Sequence, residues 1–163
     1  MTDRNAGGAL RRDWCAPDEE IHLVVGDGLG DLAYDVAGLR WDGRDECAAL
    51  PAEPPERPSA VLFGSSPECP LVAAVDPWRT AGRRGSWVLT SRRLAWVEET
   101  AAIERVEVPA ELIRSRTGTT RALPGRRSAF ALRVELADGS GIDFVAADDA
   151  EADRLAALAP GAA

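Results

Sequence analysis

Phe130, Leu132, Val134 and Leu136 stand at strict two-residue spacing with polar or small residues between them. After the turn-forming stretch Ala137-Asp138-Gly139-Ser140, Ile142 and Phe144 resume the same alternation. That pattern predicts a β-hairpin with one face in a core and the other toward water. Upstream, Trp87-Val88-Leu89-Thr90 and Leu94-Ala95-Trp96-Val97 flank Ser91-Arg92-Arg93, which predicts a tight antiparallel hairpin. Both of its faces are apolar, so it is expected at the centre of a sheet, with Trp87 and Trp96 in the core.

Shorter runs fill in the rest. Residues 20–25 predict a strand, and Ala60–Phe63 and Leu71–Val75 predict two more, a possible hairpin with Gly64-Ser65-Ser66-Pro67 beginning the turn. Residues 103–108 alternate Ile103, Val106 and Val108 with charge, and residues 111–116 continue as a further strand. Leu32, Val36 and Leu39 share a helical face, so a short helix capped by Asp31 is expected there. Residues 117–128 read as a long polar loop. At the end, Asp148 followed by Glu151 resembles a capping box, and Ala152, Leu155, Leu158 and Ala159 form one stripe before Pro160-Gly161. A helix this short must pack on a sheet to persist.

The division expected from these signals is a flexible tail at 1–17, an N-terminal extension at 18–58 with a Pro-rich end at 51–58, and a β-domain with its C-terminal helix at 59–163. With 163 residues, 45% of them hydrophobic and 28% charged, such a domain can bury a core without metal or disulfide staples. No apolar run approaches the ~20 residues that span a bilayer, and Met1–Arg12 has no apolar leader, so the expected compartment is the cytoplasm.

Cys15, Cys47 and Cys69 are widely spaced with no CxxC pair, and are expected to be free thiols. Nothing in the pattern implies a metal or other cofactor. Gly26-Asp27-Gly28-Leu29-Gly30-Asp31 fails the dinucleotide fingerprint, since Asp31 stands where the third glycine belongs, and it reads as an ordinary turn. His22, the one histidine, lies in a predicted strand and reads as structural. A Cys/His hydrolase is the enzymatic alternative, and no residue pattern supports it.

The net charge is −8, which argues against nucleic-acid binding, and all 19 basic residues are arginine. The distribution is uneven: residues 1–78 carry net −9, residues 79–133 net +7 and residues 134–163 net −6. Arg114, Arg116, Arg121, Arg126 and Arg127 fall within fourteen residues free of acids, and Arg83 and Arg84 lie just before Trp87. Guanidinium groups match carboxylate and phosphate oxygens in paired geometry, so these seven are the candidate ligand-binding residues. Solvation, or pairing with the chain's own acidic flanks, is the plainer account of them.

The order Leu-Thr-Ser-Arg-Arg-Leu at 89–94, Val-Pro-Ala-Glu-Leu-Ile at 108–113, Leu-Ala-Asp-Gly-Ser at 136–140 and a terminal helix resembles bacterial, notably actinobacterial, pleckstrin-homology-like (PH-like, GRAM-like) domains. The resemblance covers residues 60–159 at most. It implies a mainly β (α+β) fold, a partly open antiparallel β-barrel capped by the C-terminal helix. It also implies a non-catalytic binding module. The expected partner is another protein, through an acidic segment gripped by the arginines. The alternatives are an anionic lipid headgroup, which would make the chain a peripheral membrane protein, or self-assembly through a sheet edge.

Overall fold

The computed structural model describes residues 14–26, 32–36, 58–80, 85–98, 103–123 and 127–159. They form β1 (Ile21–Gly26), β2 (Leu32–Val36), β3 (Ala60–Gly64), α1 (Pro70–Thr80), β4 (Gly85–Thr90), β5 (Arg93–Glu98) and β6 (Ile103–Pro109). A 3-10 turn at Ala110–Leu112 leads into β7 (Ile113–Leu123), β8 (Arg127–Leu136), β9 (Gly141–Val145) and α2 (Asp149–Ala156).

The chain is mainly β, and its described strands make two sheets that do not close into a barrel. The first has the order β1-β4-β5-β6, all antiparallel. The second has the order β2-β3-β9-β8-β7, antiparallel except for the parallel pair β2 and β3. Their apolar faces meet. Trp87, Leu89, Leu94, Trp96, Val106 and Val108 from the first sheet pack with Leu62, Leu132, Val134, Ile142 and Phe144 from the second. Both predicted hairpins form, and Trp87 pairs with Trp96 across β4 and β5 at the centre of the first sheet.

The C-terminal helix also forms. Asp148 caps it by accepting the Glu151 amide at 2.8 Å, and Leu155 is buried against the shared core with Ala152, Leu158 and Ala159 around it.

Three expectations are corrected. Residues 32–36 are a strand, not a helix. Leu32, Tyr34 and Val36 also lie at two-residue spacing, and all three enter the core when β2 pairs with β3. Residues 71–75 belong to a helix, not a strand. Pro70 sits at the first helical position, where its missing N–H costs nothing, and Leu71, Val72 and Val75 share a buried face. Much of the supposed loop at 117–128 is the second half of β7 and the start of β8. It is polar because β7 is an edge strand, and Thr117, Thr119 and Thr120 suit an extended backbone. β1 and β2 are edge strands, β1 of the first sheet and β2 of the second. Trp14, expected in a tail, packs on the outer apolar patch of Val24, Val88, Ala95 and Val97.

The second sheet is strongly curved. In a flat sheet, β2 and β7 would stand about 19 Å apart, given strand spacings of about 4.8 Å. Yet Arg121 of β7 reaches Asp35 of β2 at 2.8 Å. The far end of the β7–β8 hairpin therefore folds over the sheet's outer face, setting Leu123 and Ala129 on Ala33, Val61, Ala131 and Val145. Gly118 makes room on the inner side, because a Cβ there would come within 2.9 Å of the Phe130 ring.

Candidate functional site

Three of the seven candidate arginines have described side chains, and they do not converge. Arg114 is exposed and lies 3.5 Å from Glu135. The register shift between Ile113 and Ser115 puts Arg114 near the outer face, while Arg116 lies opposite Val134 on the inner side. Arg116 donates to the Thr90 carbonyl at 3.0 Å and to His22 Nδ1 at 3.0 Å. A guanidinium has no acceptor, so Nδ1 carries the lone pair and the His22 proton sits on Nε2. Burial lowers the Arg116 pKa, and its contacts bridge the second sheet to β1 and β4. Arg121 is only 14% exposed, bound to Asp35 at 2.8 Å and 3.7 Å from Asp143. Arg127 begins β8. Arg83, Arg84 and Arg126 lie outside the described residues, as do Cys47 and residues 27–31 of the glycine-rich stretch.

Asp143 is the acceptor that sequence reasoning missed. It is fully buried on the outer face of β9, and Arg133 meets both its oxygens at 2.8 Å. The Asp143 hydrogen bonds raise the Arg133 pKa further, and Arg133 also covers the Phe63 ring at 4.5 Å. The pair was legible in principle: a hairpin turning at 137–140 sets 133 opposite 143.

A second polar cluster holds the β4–β5 turn. Glu19 is 5% exposed. It accepts from Arg93 at 2.9 and 3.0 Å, from the Thr90 hydroxyl at 2.6 Å and from the Ala16 amide at 3.2 Å. Burial pushes its pKa up, but these hydrogen bonds outweigh burial and hold the carboxyl at about 2. Arg93 in turn lies over the Trp14 ring at 3.8 Å. Asp18 pairs with Arg92, and the Glu20 amide donates to Ser91 Oγ at 3.0 Å. These contacts explain why a turn carrying two arginines is ordered. They leave its charges turned inward on the chain's own acids.

An apolar groove of about 440 Å³ lies between α1, β6 and the β8–β9 turn. Pro70, Leu71 and Ala74 form one wall, and Leu112, Leu136 and Ala137 the other. Along β6 it is lined by Val106, Glu107 and Val108 in succession. Adjacent strand residues point to opposite faces, so a surface touched by three in a row runs along the strand's backbone edge. Among the described residues, no strand pairs with that edge, since β6 ends the order of its sheet. Leu112, 49% exposed at the groove's rim, is the large hydrophobic side chain that the described residues leave in solvent. The ionisable side chains lining the groove, Glu107 and Asp138, are both acidic.

The Ser65 hydroxyl lies 3.9 Å from Cys69 Sγ, and neither Cys69 nor Cys15 is in a disulfide. Among the described residues, no group of three or more His, Cys, Asp or Glu is placed to hold a metal ion, and no helix is long and apolar enough to cross a membrane. Comparisons with family models, curated proteins and solved structures find no match to this chain.

Proposed function

We propose that this chain is a non-catalytic protein-interaction module, and that its binding site is the groove between α1 and β6. The observation that carries the reading is the exposed Leu112 beside an open apolar groove whose ionisable lining is wholly acidic. Apolar side chains entering it would each gain roughly 1.5–3 kcal/mol from leaving water. Glu107 lies 3.9 Å from Arg93 but is half exposed, and Asp138 accepts from Ser140 through one oxygen, so both keep carboxylate oxygens that favour a cationic occupant. The occupant is therefore a segment of a partner protein that combines apolar side chains with arginine or lysine. This differs from an acidic ligand held by arginines, because Arg116 and Arg121 are engaged with the chain's own acceptors. The order of β4–β5 hairpin, 3-10 step, β8–β9 hairpin and α2 is what supports a PH-like kinship in this reading.

The test is selection from a randomised peptide library on the purified chain. Enriched peptides are expected to carry apolar and basic residues, and to lose binding to Leu112→Asp and to Ala74→Trp, which fills the groove. Peptides that bind both variants as well as the original chain would place the interaction elsewhere and end this reading.

A further inference from the structure

The geometry points to strand addition at β6: the partner segment binds extended, as a new edge strand of the first sheet, with alternate side chains in the groove. The inference rests on the groove being the binding site and says how the segment is held there.

Three observations carry it. The groove follows the backbone edge of Val106-Glu107-Val108, so an occupant lies beside peptide groups as well as side chains. Among the described residues, those groups are on the unpaired side of the last strand in the order β1-β4-β5-β6, and an open edge of this kind is a template for another chain. Charge and apolarity are also arranged for a period of two. Glu107 points to the outer face of the sheet, where it lies 3.9 Å from Arg93, while Val106 and Val108 enter the core side. A strand laid on this edge would alternate likewise, with apolar residues toward Leu71, Ala74, Leu112 and Leu136 and basic ones toward Glu107. A helix would instead present its apolar residues at three- and four-residue spacing and satisfy none of the β6 backbone groups.

Along Val106–Val108 the charge is Glu107, with Glu104 and Arg105 earlier in the strand, and Pro109 ends β6 without blocking Val106–Val108. A strand carrying acidic residues would be repelled by Glu107 and Asp138, which gives the edge a preference among extended segments.

The experiment takes peptides enriched on the wild-type chain and resynthesises each with backbone N-methyl groups on the odd or on the even residues. Only one alternate set of amides in an added strand faces β6. Methylating that set is expected to weaken binding roughly tenfold or more, while the other set changes it little. In parallel, amide exchange at Val106–Val108 should slow on adding the unmethylated peptide. Equal effects of both sets, or apolar residues enriched at helical spacing, would overturn strand addition while leaving the groove as the site. Enriched peptides that are indifferent to Leu112→Asp would instead remove the groove itself.

Discussion

The Glu19 cluster makes a pH-resolved prediction about stability. The carboxyl titrates near 4.5 in an unfolded chain and at about 2 in the folded one. Its folded pKa is depressed, so its contribution is whole above the unfolded value and is lost as pH falls from about 4.5 to about 2. Each pH unit of difference corresponds to about 1.4 kcal/mol, which gives roughly 3 kcal/mol at neutral pH. Glu19→Gln keeps the shape but removes the charge that Arg93, Thr90 and the Ala16 amide converge on. Urea unfolding followed by tryptophan fluorescence suits the measurement, because Trp14 lies beneath Arg93. With slopes of about 1–3 kcal/mol per molar urea, the midpoint of the variant should fall by about 1–3 M at pH 7. The gap between the two proteins should narrow steadily below pH 4.5 and nearly close at pH 2. A gap that is the same at pH 7 and pH 2.5 would mean the charge on Glu19 contributes nothing, and the electrostatic account of the turn would be wrong.

Other substitutions test other parts of the fold. Asp143→Ala strands Arg133 and removes a contact of Arg121, and should cost about 3–5 kcal/mol, whereas replacing Arg133 and Asp143 together with apolar residues should recover much of that in chemical denaturation. Gly141→Ala should prevent normal folding, since a Cβ there would lie 2.1 Å from the Val134 carbonyl oxygen and 2.6 Å from the Phe63 ring. Gly139→Ala meets no neighbour, and its cost, about 1 kcal/mol, comes from the backbone at φ 85° alone. Circular dichroism and thermal melts of the two glycine variants should therefore differ sharply.

What could be read before the structure follows from how strongly each segment is constrained by its own residues. β8, β9 and α2 alternate or cap in ways that admit one answer, and burial of Leu132, Ile142 and Leu155 follows. Leu71–Val75 is too short for periodicity to separate strand from helix, and only Pro70 hinted at the latter. β7 hid because an edge strand with arginines and threonines looks like a loop when its partner is unknown. The arginines were visible as residues, but their acceptors were not. Asp35 is 86 positions from Arg121, and only the fold of the β7–β8 hairpin brings them together. The groove left the faintest trace, since it needs α1, β6 and the β8–β9 turn at once. Leu112 is one more apolar residue in Val108-Pro109-Ala110-Glu111-Leu112-Ile113 until those elements surround it.

The pairing of β3 with β9 has a consequence for how the chain is made. Ala60 pairs with Phe144, 84 positions later, and Ile21 of β1 waits for Thr90. As the polypeptide leaves the ribosome, β4 and β5 can each zip up with the strand that follows, β5 and β6. The β2–β3 pair has no neighbour on its inner side until β9 has been synthesised. Completion of the second sheet is thus deferred until translation has passed Val145, and a nascent chain stalled before that point would present Ala60–Gly64 as an uncovered, aggregation-prone ribbon.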